Sequence, residues 1–185
     1  ETARFRNRGG LNNDWDLTAA ILEDRGTSVV RPELVAYFQK LLWGEEGSGL
    51  IRNERWLLRP EVLGDCFRRH RLGIVTGRPT VEASWTLSRF EVSPFFSAVI
   101  AADDLPAGRH KPDPFGLRLA LERLEACCGW YVGDTPDDMK AALAAGLVPL
   151  GIVPGHAAPE TRAALLEGGA RRIIEDINRI GEVLE

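Results

Sequence analysis

Several scarcities narrow what this chain can be. It holds three cysteines, Cys66, Cys127 and Cys128. An odd number with two of them adjacent is no disulfide framework, and no CxxC pair points to zinc. The expected reading is small apolar side chains in a reducing compartment, the cytoplasm. Three histidines, His70, His110 and His156, are scattered without triad or metal spacing and are expected on the surface or in loops. No apolar run approaches the roughly 18 residues of a membrane span. No charged segment followed by an apolar one marks a signal peptide. Neither sign of charge is in large excess: Lys and Arg number 23, Asp and Glu 27, for a net charge of −4. That excludes a general electrostatic attraction to nucleic acid or to an anionic membrane. Methionine is scarcest of all. Met139 is the only one and the chain opens at Glu1, so further residues are expected upstream.

What is present is globular composition, 44% hydrophobic and 27% charged over 185 residues, the size of one domain or one with a small appendage. From about residue 70, strands and helices alternate. Leu72 to Thr76 is a short apolar run closed by Gly77 and Pro79, which predicts a buried strand. A helix is predicted over 80–90, with Val81, Trp85 and Leu87 or Ser88 near one face. Ala98 to Ala102 predicts a second strand, running into Asp103 and Asp104. Pro114 opens a helix with Leu117, Leu121 and Leu124 on its apolar stripe. Trp130 to Gly133, Leu147 to Val153 and an edge segment over 172–177 complete the strands. Helices over 136–145, ended by Gly146, and over 159–167 separate them. This alternation predicts an α/β core, a doubly wound Rossmann-like parallel sheet over residues 59–185. Residues 1–58 read differently, with helices over 17–22 and 32–43 and no strand, and are expected to form a small helical cap at the amino end.

In open parallel sheets, ligands bind beyond the carboxyl ends of the strands. Those ends carry Thr76, Asp103 with Asp104, and Asp134, with Asp138 one helical turn further and Lys111 in the loop after the second strand. Carboxylates at a sheet edge suit an oxygen-loving cation such as magnesium. A hydroxyl, a lysine and backbone N–H groups suit phosphate oxygens. Singly, each has a plainer explanation. Thr76 could merely end a strand, Lys111 could be a solvated loop lysine, and Asp134 could cap the next helix.

Together, and in this order, they resemble a known family. Val75-Thr76-Gly77-Arg78, Lys111-Pro112-Asp113-Pro114 and Gly133-Asp134-Thr135-Pro136-Asp137-Asp138 are similar to three of the four motifs of the haloacid dehalogenase-like hydrolases. The resemblance spans about residues 60–180 and lies nearest the phosphoglycolate phosphatase-like branch. It implies a magnesium-dependent phosphatase acting on a small phosphorylated metabolite through an aspartyl-phosphate. Thr76 and the Gly77 backbone would hold the transferring phosphoryl group. Lys111 would offset its charge in the transition state. Asp134 and Asp138 would bind or orient Mg2+. A phosphomutase or a dehalogenase of the same fold is the rival among enzymes, and the acidic 134–138 segment speaks against the dehalogenase. A non-catalytic phosphate-binding member is the rival from another class.

The family's first motif, an apolar strand ending in Asp-x-Asp whose first Asp is the nucleophile, has no good match. Asp14-Trp15-Asp16 has the spacing, but Arg6 to Asn13 before it is polar and glycine-rich, and Leu17 stands where the motif needs glycine. A helix start, capped by Asn13 or Asp14, is the simpler reading. The stretch from Gly9 to Trp15 is similar to cap segments of some relatives, inserted after the first motif. In the family the first strand is central, between those ending at Thr76 and Asp134; its absence would leave strand edges without partners, so that strand, with the nucleophile, is expected in upstream residues or in a separate piece. Trp15, Trp43, Trp56 and Trp85 with Phe90, Phe95 and Phe96 are expected in the core or the seam beneath the cap. Arg78 could reach a substrate anion, and Arg52 and Glu54 could line the entrance.

Overall fold

The computed structural model describes residues 1–11, 13–45, 48–153 and 159–184. Eight α-helices and five strands are formed by these residues: α1 Thr2–Arg6, α2 Asp14–Asp24, α3 Arg31–Trp43, α4 Pro60–Arg69, β1 Gly73–Val75, α5 Thr80–Arg89, β2 Ala98–Ile100, α6 Phe115–Arg123, β3 Trp130–Gly133, α7 Pro136–Ala145, β4 Val148–Ile152, α8 Pro159–Glu167 and β5 Arg172–Ile174. No helix among them is long and apolar enough to cross a membrane. The strands predicted from the sequence are all present. Helix α1 was not expected, because Phe5 is its sole buried residue and leaves no periodic stripe. Helix α4 lies in a segment for which no element was predicted. It begins at Pro60, where the missing N–H costs nothing, and buries Leu63 and Cys66.

All strand pairs are parallel, but they form two sheets, β1 with β2 and β3-β4-β5 in that order. Helix α6 packs on β1 and β2, while α7 packs on β3 and β4. The buried side chains follow from this covering: Leu117 of α6 meets Ala141 and Ala142 of α7 and Leu147. Met139 packs with Val153, Leu165 and Ala170 on α7's other flank. Leu63 of α4 and Leu87 of α5, with Val92, pack with Trp56, Phe90, Phe95 and Phe96. Trp43 of α3 meets Trp85 of α5 edge-on at 6.0 Å. The helix α5 stripe differs from the prediction. Val81 is exposed, and Ala83 and Leu87 take the buried side.

The facing edges of β1 and β3 exchange no ladder hydrogen bonds. A cavity of about 630 Å3 draws its walls from both, including Ile74, Val75, Tyr131 and Val132. The Tyr131 hydroxyl crosses to the Val75 carbonyl at 3.3 Å, a side chain standing where a strand would give a ladder. This is the place at which the family resemblance puts a central strand.

The cysteines are free, with Cys66 buried and Cys127 and Cys128 exposed. Burial, with Asp65 nearby, pushes the Cys66 thiol above its ordinary range, which suits an inert packing residue. His70 and His110 are exposed, and His156 lies outside the described residues.

Candidate active site

A cavity of about 290 Å3 opens beyond the carboxyl ends of β1 and β3, and Thr76, Gly77, Lys111, Asp134 and Asp138 all line it. The five residues singled out in the sequence thus meet around one cavity. Thr76 follows β1 and is positioned through its own backbone, its N–H donating to the Ile100 carbonyl of β2 at 2.9 Å. Its Oγ1 accepts the Arg78 N–H at 3.2 Å, a hydroxyl turn that curls residues 76–78 around the cavity. The Gly77 N–H has no acceptor among the described residues, leaving a donor at the cavity wall.

Helix α7 sets the opposite wall. Thr135 is its N-cap, accepting the Asp138 N–H at 3.2 Å, while the Asp138 carboxylate accepts the Thr135 N–H at 3.0 Å and its hydroxyl at 2.7 Å. This capping box, with Pro136 at the first helical position and Gly146 in the left-handed region (φ 79°) at the end, fixes where α7 starts and stops. It also divides the two predicted metal carboxylates. Asp138 is 4% exposed and both its oxygens are engaged: Oδ1 accepts from Lys111 Nζ at 2.6 Å and from the Tyr131 hydroxyl at 3.2 Å, and Oδ2 serves the cap. Asp134 projects from the end of β3 with its side chain 60% exposed, and its nearest cation is Arg6 at 3.5 Å. Of the pair, Asp134 keeps an exposed carboxylate, while that of Asp138 is taken up by Lys111, Tyr131 and the helix cap.

The charges respond accordingly. Burial opposes ionisation of Asp138, but Lys111 and the Thr135 donors outweigh it and hold the carboxyl below its ordinary value. Burial likewise opposes the Lys111 ammonium, yet Tyr131 and Asp138 beside it raise the amine above the ordinary lysine value. Burial pushes the Tyr131 phenol up to about 12, so it enters the trio as a neutral hydroxyl at pH 7. Asp134 moves the other way from Asp138: desolvation and the neighbouring Asp138 charge raise it, with Arg6 pulling back.

Other expected residues are placed elsewhere. Asp103 accepts the Thr80 N–H at 2.8 Å and its hydroxyl at 2.6 Å, and Asp104 accepts the Ala101 N–H at 2.8 Å. Both acids are spent on local turns rather than gathered at the site. Asp14 reaches the cavity wall from the first turn of α2, its Oδ1 held by Arg6 at 2.9 Å, and Asp16 pairs outward with Arg31. The Asn13 side chain caps α2 by accepting the Trp15 N–H at 2.8 Å, so this segment is the helix start that its sequence suggests. Arg78 lines the cavity while its guanidinium is held by Glu54 at 2.5 Å. Glu54 and Arg52 do not line it. Sequence reasoning missed Arg6, Phe38, Glu82 and Tyr131. The first lies in a polar, glycine-rich stretch without periodicity, and the other three acquire their roles only when separate elements meet.

The donor set is coherent with a divalent cation of the magnesium kind, which binds through one or two carboxylates and substrate phosphate oxygens rather than a full protein cage. Among the described residues no group of three or more His, Cys, Asp or Glu could hold a metal by itself.

Comparison with known proteins agrees with this geometry. A family model described as haloacid dehalogenase-like hydrolase matches residues 6–146, and the chain belongs to that family. It is 32% identical over 183 residues, 94% of its length, to a protein named imidazoleglycerol-phosphate dehydratase from Phytophthora nicotianae, of which it covers 39%. It is 36% identical over 87 residues, 46% of its length, to the phosphoglycolate phosphatase of Escherichia coli, of which the match covers 34%. The chain therefore spans less than half the length of these curated relatives. Among solved structures, a haloacid dehalogenase-like hydrolase from Bacteroides fragilis superposes with a TM-score of 0.74 at 22% identity, covering 96% of this chain and 81% of that one.

Proposed function

We propose that the protein is a magnesium-dependent phosphatase of small phosphorylated metabolites. The observation that carries this reading is the buried Lys111–Asp138 pair, which holds an ammonium at the wall of the same small cavity as Thr76, the Gly77 N–H and Asp134. In this reading Thr76 and Gly77 donate to two phosphoryl oxygens, and Lys111 offsets the charge that develops on the transferring group. Tyr131 and Asp138 keep the Lys111 ammonium aimed and protonated. Asp134 would hold magnesium, which when bound offsets phosphate charge and orients the scissile group. The residues 1–58 serve as a cap that excludes water from the cavity.

The carboxylate that accepts the phosphoryl group belongs, in this proposal, to a strand seated between β1 and β3. The facing edges without a ladder, and the apolar cavity between them, support it. Asp14 is the alternative acceptor, but its oxygen is tied to Arg6 and no strand delivers it.

The test is phosphate release from 4-nitrophenyl phosphate, with and without Mg2+, by the protein carrying the strand that supplies the acceptor. Turnover should require the metal, and Lys111→Ala should lower it about 10²–10³-fold, the cost of removing one charged transition-state partner. Binding of inorganic phosphate with no turnover would replace the phosphatase by the non-catalytic phosphate-binding reading.

A further inference from the structure

Four carboxylates line the cavity, and three of them have cationic partners. Asp14 and Asp134 share Arg6, at 2.9 and 3.5 Å, and Asp138 has Lys111 at 2.6 Å. Glu82 is the exception. It is 5% exposed, it lines the cavity, and no Lys or Arg among the described residues pairs with it. Its Oε1 accepts from the Gln39 amide at 2.9 Å, and Oε2 has no described partner. The two arginines on the same wall are already engaged, Arg6 as above and Arg78 by Glu54. Glu82 sits in the first turn of α5, where the helix dipole offsets roughly 0.3–1 kcal/mol. That is no substitute for a cationic partner. Buried carboxylates are ordinarily paired, and this one faces space that a ligand can fill.

Two aromatic residues share the lining with Glu82. Trp15 of α2 and Phe38 of α3 line the cavity, and Phe38 adjoins Gln39, the residue that holds Glu82. A carboxylate and aromatic side chains lining one cavity offer the chemistry of an alkylammonium receptor, which combines a charge-assisted hydrogen bond with cation–π attraction. Thr76, Gly77 and Lys111 present the opposite chemistry, suited to a dianion. At about 290 Å3 the cavity stands at the small end of ligand sites, so both ends can engage one small molecule.

We propose that Glu82, with Trp15 and Phe38, receives a cationic amine of the substrate, which makes the substrate class the phosphate monoesters of small amino compounds. This rests on the phosphate-site reading above and names its selectivity.

The test compares two probes of similar size, O-phosphoethanolamine and 2-hydroxyethyl phosphate, with inorganic phosphate as reference, by calorimetry in the presence of Mg2+. The amine should bind about tenfold more tightly than the alcohol, the yield of one charge-assisted contact of roughly 1.4 kcal/mol. In Glu82→Gln that ratio should fall to about one. Equal affinities in the unaltered protein would overturn the proposal, and this comparison needs no variant to fold. A ratio that persists in Glu82→Gln would overturn it too. Equal weakening of both probes in that variant, with a lowered Tm, would make Glu82 a latch to Gln39 instead. If inorganic phosphate itself fails to bind, the phosphate-site reading falls, and the amine proposal with it. Phosphate binding without amine preference overturns the amine proposal alone.

Discussion

Asp138→Ala should destabilise the protein by about 3–5 kcal/mol, the usual result of stripping one partner from a buried ion pair. The side chain is 4% exposed and that of Lys111 16%, so water cannot rehydrate the orphaned ammonium fully. The loss also removes the acceptor for Thr135 N–H and Oγ1 and so opens the α7 cap. Asp138→Asn should be milder, because an amide oxygen still accepts from one side. Urea denaturation of the three proteins measures the difference, and a cost below 1 kcal/mol for the alanine variant would contradict the pairing. Its pH dependence has a defined sign. The Asp138 carboxyl lies below its ordinary 3.8, so its contribution is present above that pH and is lost as pH falls through the lowered value. The Lys111 amine lies above its ordinary 10.5, so its contribution is complete below that pH and is lost as pH rises through the raised value. The gap between wild type and Asp138→Ala should therefore be level across the neutral range and close at both extremes.

Gly133→Ala should be nearly as damaging although it adds a single methyl group. A Cβ built at Gly133 meets Asp138 Cβ at 2.3 Å and Cγ at 2.5 Å, distances that no packing adjustment of the methyl itself can relieve. Either β3 or the start of α7 must shift. Overpacking of this kind costs about 1–3 kcal/mol. The larger effect falls on the site, since moving Asp138 moves Lys111 and the Asp134 that precedes α7. A displacement of about 1 Å at such a centre costs on the order of 10²-fold in rate. Phosphate release and phosphate binding should fall together while the far-UV spectrum is kept. An active Gly133→Ala enzyme would show that β3 and α7 can separate freely.

How much of this could be read from the sequence depends on whether a feature is local. The strands at Gly73–Val75 and Trp130–Gly133 were legible because short apolar runs ended at glycine or acid. The α7 boundaries were legible because Pro136 and Gly146 are strong start and stop signals. Thr76, Lys111 and Asp134 were legible because strand order brings consecutive strand ends to one edge. Helix α5 was misread at Val81 because its buried side is defined by what α3 and the sheet present to it, which periodicity does not contain. Glu82 shows the same limit more sharply. An acid beside a valine reads as a solvated helix face, and only the approach of Gln39 and the cavity encloses it. Asp103 and Asp104 fail in the opposite direction. Their position at a strand end matches the site, but Thr80 and the Ala101 N–H compete for them locally and win.

The separation of β1 from β3 has a mechanical consequence. Deforming the molecule between β3 and β4, or between β1 and β2, breaks a ladder of parallel hydrogen bonds. Sliding the β1-β2 leaf past the β3-β4-β5 leaf breaks no ladder; among the described residues the hydrogen bond between β1 and β3 is the Tyr131–Val75 link. The softest direction of the strand layer therefore runs across the candidate site, with Thr76 on one leaf and Asp134 on the other. Whatever seats itself between the leaves sets the spacing of the two ends that, in the proposed function, grip a phosphate.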